Sequence, residues 1–224
     1  METPQSTNLA VVAADAPSTD LQFYAGLMHE ADLRVAADGG ARHFLQIGIL
    51  PHIAIGDFDS LPAAMLEQLA QQGVRIERHP VHKDETDLEL ALLHAIHNGA
   101  RRIVVLAALG GRPDQHLANL QLLTHPALAS ADVRMRHRDW EVFAIHDTAT
   151  IEGEPGQTVS LLPMTEQVEG IVTHGLYYPL EHEALRLGPA RGVSNVLTER
   201  RATVTIRSGI LLVMHQLSLA AGTR

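Results

Sequence analysis

The pattern of apolar and polar positions changes character near residue 132. Before that point, short apolar runs such as residues 9–14 and 102–107 alternate with stretches of helical spacing, of which the clearest is residues 85–97. Strands that alternate with helices of this length predict a mainly parallel sheet covered on both faces. The N-terminal part is therefore predicted to be an α/β domain.

The rest of the chain has short β-type runs separated by Gly and Pro, with no convincing helical stretch. The seven predicted strands are residues 133–136, 141–145, 158–162, 168–173, 184–187, 202–206 and 210–216. Short strands with regularly spaced turns predict a β-sandwich or a small barrel. We therefore predict an α/β domain at residues 1–135 and an all-β domain at residues 136–224.

Composition narrows the classes of function. The formal net charge of −9 argues against a general nucleic-acid-binding protein, because affinity for the phosphate backbone needs clustered Lys and Arg. The chain has no cysteine, which excludes disulfides, thiolate catalysis and cysteine-bound zinc and fits a reducing cytoplasm. No basic stretch followed by an apolar one begins the chain, and its longest apolar runs are too short to span a bilayer. We expect a cytoplasmic protein that binds neither nucleic acid nor membranes.

Four segments of the first half place acidic, glycine or small polar residues directly after a predicted strand. Ligands of open parallel sheets bind outside the carboxyl ends of the strands, so we expect these segments to converge. In the first, Asp38, Gly39 and Gly40 precede a helix, and paired glycines let the backbone approach a phosphate group. Taken alone, the same residues would be an ordinary strand–helix turn.

The second segment contains Asp57 and Asp59. If it is extended, both side chains project to the same side, where two carboxylates repel unless a cation lies between them. Oxygen ligands of this kind suit Mg²⁺, which takes one or two carboxylates together with substrate phosphates. The alternative is a solvated acidic turn in which Ser60 caps the helix that follows.

The third segment, residues 83–87, opens the strongest predicted helix. Asp84 and Asp87 are three residues apart and would lie close together at its start, where the helix dipole favours acidic side chains. That favourable effect is also the alternative explanation, since Asp84 could be only an N-cap and Lys83 a surface lysine.

The fourth segment contains Gly111, Arg112 and Asp114 between a strand and a helix. The planar guanidinium of Arg112 matches the oxygens of a phosphoryl group, and Asp114 either binds a metal or orients Arg112. The alternative is a Gly-Gly turn in which Pro113 starts the helix. The chain has neither the P-loop pattern nor the dinucleotide-binding pattern of glycines, so a nucleotide site would be of another type.

In the second half, the segments around Tyr178 and Asn195 stand out. Tyr177 and Tyr178 are adjacent in a chain with 4% aromatic residues, and they offer a stacking face to a flat ring. Ser194 and Asn195 supply neutral donors and acceptors that suit an aminopyrimidine edge. The alternative is the edge of an ordinary β-hairpin.

From about residue 35 to 196 the chain resembles the thiamine pyrophosphokinase family, whose motifs it has in the same order. The motifs are Asp38-Gly39-Gly40-Ala41, Gly56-Asp57-Phe58-Asp59-Ser60, Lys83-Asp84-Glu85-Thr86-Asp87, Gly111-Arg112-Pro113-Asp114, Gly175-Leu176-Tyr177-Tyr178-Pro179-Leu180 and Gly192-Val193-Ser194-Asn195. Each motif is weak by itself, and their joint order makes the resemblance specific. The chain departs from the family at Gln115, where many members have His, and at Tyr178, where the family often has Trp.

The resemblance implies an ATP-binding α/β domain, a thiamine-binding β-sandwich and a homodimer with active sites between its subunits. It implies that thiamine stacks on Tyr178, with Ser194 and Asn195 nearby. The implied Mg²⁺ ligands, which are also catalytic residues, are Asp57, Asp59 and Asp87. The residues implied at or near the ATP phosphates are Asp38, Gly39, Gly40, Lys83, Asp84, Thr86, Gly111, Arg112 and Asp114, of which Arg112 and Asp114 are also catalytic.

The implied reaction is attack of the hydroxyethyl oxygen of thiamine on the β-phosphorus of ATP, with AMP as the leaving group. Such a transfer depends mainly on positioning and on charge neutralisation, so Mg²⁺ and Arg112 would contribute most of the catalysis. Either Asp87 or Asp59 would accept the hydroxyl proton. The alternatives are a diphosphokinase that acts on a hydroxymethylpterin and a nucleotide- or thiamine-sensing module without turnover.

Overall fold

The computed structural model describes residues 8–18 and 21–217, which divide into two compact units between His137 and Arg138. The first unit is α/β with a parallel sheet, and the second consists of antiparallel strands in two sheets. The predicted fold class is therefore confirmed. No helix among the described residues is long and apolar enough to cross a membrane.

The described residues of the first unit form six strands and five α-helices. The strands are β1 (Leu9–Ala13), β2 (Leu33–Ala37), β3 (Ile53–Gly56), β4 (Arg75–Arg78), β5 (Arg102–Leu106) and β6 (Asp132–His137). The helices are α1 (Ala25–Glu30), α2 (Ala41–Gln46), α3 (Ala63–Gln71), α4 (Asp87–His97) and α5 (Pro113–Leu122). The strands pair in parallel in the order β6-β5-β1-β2-β3-β4, so the direction of progression across the sheet reverses at β1.

Burial explains why these segments form a central sheet. All five residues of β1 are buried, as expected of a parallel strand covered on both faces. The helical spacing predicted for residues 85–97 places the apolar side chains of α4 on one buried face. The helix begins at Asp87 because the Thr86 hydroxyl caps it, accepting a hydrogen bond from the backbone N–H of Glu89 at 3.2 Å.

One strand pairs differently from what the sequence pattern predicted. Residues 133–136 were expected to begin the run of strands that follows the α/β rhythm, but β6 pairs in parallel with β5, with Val133 opposite Ile103 and Met135 opposite Val105. The local alternation of apolar and polar residues would be the same whether this strand joined the parallel sheet or the strands that follow it. It therefore does not reveal that this strand completes the parallel sheet.

The residues of the second unit that the structure describes form a β-sandwich of eight strands. They are β7 (Trp140–Ile145), β8 (Thr148–Glu152), β9 (Thr158–Pro163), β10 (Gln167–His174), β11 (Glu181–Arg186), β12 (Asn195–Val196), β13 (Arg201–Thr205) and β14 (Leu211–Gln216). One sheet has the order β12-β9-β14-β7 and the other β11-β10-β13-β8. Apolar side chains of both sheets, among them Leu161, Ile171 and Val213, form one buried core between them. The sequence pattern missed β8 and the two-residue β12.

Candidate active site

A cavity of about 570 Å³ opens at the carboxyl ends of the strands in the α/β unit. It lies where the sheet order reverses, between the loops that follow β1 and β5, which is where open α/β sheets bind ligands. All four motif segments of the first half contribute to its wall. The lining residues are Ala14, Asp15, Ala16, Pro17, Ala37, Asp38, Asp57, Asp59, Lys83, Thr86, Asp87, Leu88, Ala107, Ala108, Gly110, Gly111, Arg112, Gln115 and Asn119.

Backbone strain is concentrated around this cavity. Asp38, Phe58 and Ala107 follow β2, β3 and β5, and each has a positive φ, of 44°, 62° and 51°. A non-glycine residue in this region costs about 1–3 kcal/mol and persists where the surrounding structure imposes it, commonly at functional sites. The loops at the strand ends are therefore held in a specific conformation around the cavity.

Three carboxylates form a compact cluster at one side of the cavity. Asp38, Asp57 and Asp59 each offer an oxygen atom, and these oxygens all lie within 4.8 Å of one another. The sequence pattern predicts Asp57 and Asp59 on the same side of an extended strand. In the structure a turn brings the two carboxylates together. Phe58 has a left-handed backbone conformation, and the backbone N–H of Asp59 donates to Asp57 Oδ1 at 3.0 Å.

The cluster fits a divalent cation. Its donors are carboxylate oxygens, which Mg²⁺ prefers. The hydroxyl of Ser60 donates to Asp38 Oδ2, while Asp38 Oδ1 is buried and has no hydrogen-bond partner among the described residues. A buried carboxylate oxygen without a partner is costly unless a ligand compensates it. The structure therefore adds Asp38 to the group that could hold a metal.

Asp87, the third predicted metal ligand, is paired with a lysine. Lys83 Nζ lies 3.1 Å from Asp87 Oδ1 and 3.6 Å from Asp57 Oδ2. Burial raises the pKa of Asp87, and the nearby charges of Asp57 and Asp38 add to this, while Lys83 offsets part of the rise. Burial acts to lower the pKa of Lys83, but its contacts with Asp87 and Asp57 raise it overall. Lys83 is thus a charged partner of the acidic residues rather than a free surface lysine.

A second cation, Arg42, lies beside the same strand ends and was not predicted from the sequence. Its Nε lies 3.3 Å from Asp15 Oδ1 and donates to the carbonyl oxygen of Gly39 at 3.2 Å, while its Nη2 donates to that of Ser60 at 3.1 Å. Arg42 therefore ties together the loops after β1, β2 and β3. Burial raises the pKa of Asp15, and the charge of Arg42 opposes that rise. The only signal of this contact in the sequence was Asp15, an acidic residue directly after the first predicted strand.

The paired glycines contribute close packing. A Cβ atom at Gly40 would lie 1.9 Å from the carbonyl oxygen of Ala13, and one at Gly39 would lie 2.2 Å from the carboxylate of Asp15. Both glycines are buried, and neither is part of the cavity wall described above. The structure thus explains the Gly-Gly pair by the approach of the β2 loop to β1.

The fourth segment forms an exposed ion pair at the start of α5. Arg112 Nε donates to Asp114 Oδ1 at 3.2 Å, and Arg112 Nη2 donates to Asp114 Oδ2 at 2.6 Å. The side-chain hydrogen bonds from Arg112, followed by that from the Gln115 backbone, lower the pKa of Asp114 to about 2. Arg112 lines the cavity, whereas Asp114 holds its guanidinium from outside. Asp84, of the third segment, is exposed and also lies outside the wall.

The second unit presents two exposed tyrosine rings. Tyr177 and Tyr178 are each 65% exposed, and their ring centroids lie 4.8 Å apart with planes at 87°. Ser194 has a φ of 62°, and its backbone N–H donates to Ser160 Oγ at 3.0 Å. Asn195 is buried and contacts the backbone of Tyr178. The predicted ring-binding residues are therefore neighbours, with Tyr178 exposed and Asn195 beneath the surface.

The chain combines a β-sandwich with a parallel sheet that has an acid-lined cavity at the point where its strand order reverses. We would expect this combination in an enzyme that transfers phosphoryl groups from a metal-bound nucleotide. Residues 24–135 match the family model "Thiamin pyrophosphokinase, catalytic domain", and residues 148–211 match "Thiamin pyrophosphokinase, vitamin B1 binding domain". The chain belongs to the thiamin pyrophosphokinase family.

Individual relatives agree with the family models. The chain is 27% identical over 206 residues to the thiamine pyrophosphokinase of Bacillus subtilis, covering 91% of this chain and 96% of the relative. It is 26% identical over 241 residues to thiamine pyrophosphokinase 1 of Arabidopsis thaliana, covering 94% and 87%. These matches confirm the predicted family and the prediction of a diphosphotransferase, whose reaction is the function of the family.

Solved structures show the same fold. The crystal structure of the Bacillus subtilis thiamine pyrophosphokinase superposes with a TM-score of 0.83 at 27% identity, covering 95% of this chain and all of that one (100%). The Geobacillus thermodenitrificans thiamin pyrophosphokinase superposes with a TM-score of 0.81 at 28% identity, covering 96% and 100%.

Proposed function

We propose that the α/β unit binds ATP with Mg²⁺, that the β-sandwich unit binds thiamine, and that the chain transfers the diphosphoryl group of ATP to thiamine. The observation that carries the proposal is the convergence of four separate motif segments on one acid-lined cavity. A chain with a net charge of −9 can hold a nucleotide triphosphate there if a divalent cation and local basic side chains offset the repulsion.

The metal would be held by Asp57 and Asp59 together with Asp38, whose buried Oδ1 has no partner among the described residues. Bound magnesium would supply neutralisation of the negative charge on the phosphates. Asp87, the remaining predicted ligand, lies close enough to share Lys83 with Asp57. We therefore keep Asp87 in the proposed metal and catalytic set.

Basic and neutral groups of the cavity would position the phosphates. Lys83 and Arg112 both line it, and their charges would face the phosphate oxygens. Asp114 would orient Arg112 through the two hydrogen bonds described above. The other proposed ATP-binding residues are Asp38, Gly39, Gly40, Asp84, Thr86 and Gly111, of which Asp38, Thr86 and Gly111 line the cavity.

In the proposed reaction, the hydroxyethyl oxygen of thiamine forms a bond to the β-phosphorus of ATP. The bond from that phosphorus to the oxygen bridging to the α-phosphorus breaks, and AMP leaves. A carboxylate, either Asp87 or Asp59, would take the hydroxyl proton. This transfer needs orientation and charge stabilisation more than covalent participation of the protein.

Thiamine would bind at the exposed tyrosine pair of the β-sandwich unit. Tyr178 is 65% exposed in a protein with few aromatic residues, which supports its role as the stacking surface. Ser194 would complete the thiamine-binding set by direct contact, and Asn195 belongs to that set through its hydrogen bonds with the backbone of Tyr178.

We also propose a two-fold symmetric homodimer, following the resemblance that brings the phosphate and ring segments together across subunits. Sedimentation at several protein concentrations should give twice the chain mass. A fully active monomer would contradict the dimer. A cytoplasmic location and a lack of binding to nucleic acid and membranes remain predictions.

The reaction is tested by incubating the protein with MgCl₂, thiamine and ATP that carries its radiolabel at the β-phosphorus. We expect labelled thiamine diphosphate and unlabelled AMP in equal amounts. Formation of ADP with thiamine monophosphate would contradict diphosphoryl transfer. A parallel incubation with a hydroxymethylpterin should give no labelled product, which separates the thiamine enzyme from the pterin alternative.

A further inference from the structure

The side chain of Asn195 is occupied by the protein itself. Asn195 is 6% exposed, and its Oδ1 accepts hydrogen bonds from the backbone N–H of Tyr178 and of Val196, both at 2.9 Å. Its Nδ2 donates to the carbonyl oxygen of Tyr178 at 2.8 Å. A carboxamide has two acceptor positions and two N–H donors, so three of its four hydrogen-bonding positions are used within the chain.

Both polar backbone groups of Tyr178 therefore bind one buried side chain. The peptide groups on either side of the Tyr178 Cα cannot rotate without breaking a contact with Asn195. Because the direction of the Cα–Cβ bond follows from the backbone, this pairing also sets the direction in which the ring leaves the surface. Only two side-chain torsions then remain free for the ring.

The flanks of the tyrosine pair are held as well. On one side, the backbone N–H of Tyr177 donates to the carbonyl oxygen of Val196 at 2.9 Å. On the other side, the backbone N–H of Leu180 donates to Thr173 Oγ1 at 2.8 Å, and that of Thr173 donates to the carbonyl oxygen of Leu180 at 3.0 Å. The backbone is thus fixed at a place where the ring of Tyr178 is exposed.

We propose that Asn195 is a positioning residue for thiamine: it holds the backbone of Tyr178 so that the ring is presented for stacking, and it does not bind the substrate itself. The inference rests on the proposed thiamine-binding function of Tyr178. A pre-organised aromatic surface binds more tightly than a mobile one because less conformational entropy is lost on binding. Asn195 would therefore contribute to affinity only through Tyr178.

A double-mutant cycle separates action through Tyr178 from direct contact. The variants are Tyr178→Ala, Asn195→Ala and the double variant, and the measurements are the thiamine KM, the ATP KM and kcat. We expect each single variant to raise the thiamine KM by about tenfold, as the loss of one aromatic stacking contact does, with little change in the ATP KM. The double variant should match Tyr178→Ala alone, because no ring remains to be positioned.

A direct contact would give a different result. The two effects would then multiply, and the double variant would show a rise of about 100-fold in the thiamine KM, which would overturn the inference. If Tyr178→Ala by itself leaves the thiamine KM unchanged, the proposed ring site fails and the positioning role fails with it. The Tyr178→Ala result thus distinguishes failure of the proposed ring site from failure of the positioning role alone.

Gln157 provides a matched control in the same unit. It is 5% exposed, its Oε1 accepts from the backbone N–H of Glu154 at 3.0 Å, and its Nε2 donates to the carbonyl oxygen of Leu217 at 2.7 Å. Gln157→Ala should lower the melting temperature much as Asn195→Ala does, while leaving the thiamine KM unchanged. An equal rise in the thiamine KM would show general destabilisation and overturn the inference.

A conservative variant covers the case in which Asn195→Ala does not fold. Asn195→Asp keeps acceptor oxygens for the N–H groups of Tyr178 and Val196 but removes the donor to the Tyr178 carbonyl. We expect faster hydrogen exchange at the Tyr178 amide, by about fivefold, and a smaller rise in thiamine KM than for Tyr178→Ala. A lower thiamine KM would mean that the new charge reaches the cationic substrate, and would contradict the positioning role.

Discussion

Lys83 and Asp87 form an ion pair on the wall of the candidate active site, with 3.1 Å between Nζ and Oδ1. Their side chains are 11% and 22% exposed, so solvent screens the pair less than it would a surface pair. Lys83 also lies 3.6 Å from Asp57, which belongs to the carboxylate cluster. One lysine therefore holds together a carboxylate of the loop after β3 and the carboxylate of the first residue of α4.

Replacing Lys83 by Met should destabilise the protein most when metal is chelated. Asp57 and Asp87 would lose their shared positive charge, at a cost of about 2 kcal/mol, or roughly 4–8 °C in melting temperature for a chain of this size. Scanning calorimetry in EDTA and in MgCl₂ measures this. We expect magnesium to recover more of the stability in Lys83→Met than in the parent chain.

Arg75→Met is the control for that experiment, because Arg75 pairs with Glu77 on the surface, where its side chain is 68% exposed. Exposed pairs contribute about 0–1 kcal/mol, so this variant should change little in either buffer. Equal recovery by magnesium in Lys83→Met and in the parent chain would show that Lys83 and the metal do not act on the same carboxylates.

The carboxylate cluster should be needed for turnover and not for folding. We expect EDTA to abolish activity and MgCl₂ to restore it. Asp57→Asn and Asp59→Asn should each reduce kcat by on the order of 10²-fold, as the loss of a central electrostatic group does elsewhere, with unchanged circular dichroism. Glu77→Gln, a carboxylate outside the cavity, should keep normal kcat. Near-normal turnover in either aspartate variant would remove that residue from the metal site.

Arg42 should matter through the loops that it joins. Arg42→Met removes the contacts to Asp15, Gly39 and Ser60, and we expect kcat to fall by roughly 10–100-fold because small displacements of catalytic groups have effects of this size. The magnesium concentration for half-maximal stabilisation in a thermal-shift titration should rise as well. Arg42→Lys should rescue little, because an ammonium cannot reproduce the forked contacts. A kcat equal to that of the Arg75→Met control would refute the role.

Because of the Arg112–Asp114 pair, we expect the pH profile of kcat to show no inflection from Asp114 between about pH 5 and 9. Arg112 lowers the pKa of Asp114 to about 2, so the pair is fully formed above the usual pKa of an aspartate and is lost only as the pH falls through about 2. Asp114→Asn should lower kcat by the same factor at every pH between about 5 and 9, since Arg112 is less well oriented throughout. An inflection in that range that disappears in Asp114→Asn would contradict this.

Several features of this protein were determined by the sequence alone. The helical spacing of residues 85–97 predicted α4, and the change of rhythm after about residue 132 predicted an α/β unit followed by an all-β unit. Ligands of an open parallel sheet bind outside the carboxyl ends of its strands. The four polar segments that follow strands therefore predicted a common cavity. These inferences work because secondary-structure periodicity and the position of a loop after its strand are local properties of the chain.

The composition of the carboxylate cluster was decided by the tertiary structure. Asp38 joins Asp57 and Asp59, although Asp57 lies 19 positions further along the chain, because β2 and β3 are neighbours and both following loops have left-handed residues. Nothing in the local sequence distinguishes Asp38 from Asp87 as the third member. The pairing of Asp87 with Lys83 follows from the start of α4 at Asp87, which the Thr86 hydroxyl caps.

The supporting contacts were likewise beyond sequence reasoning. Arg42 meets Asp15, 27 residues earlier, only because β1 and β2 pair in parallel. Asn195 meets the backbone of Tyr178, 17 residues earlier, only because β12 lies beside the tyrosine segment. Such contacts depend on which strand ends become neighbours, and that is a property of the assembled sheets. The sequence therefore determined the kinds of groups in the site, and the fold decided which of them act on one another.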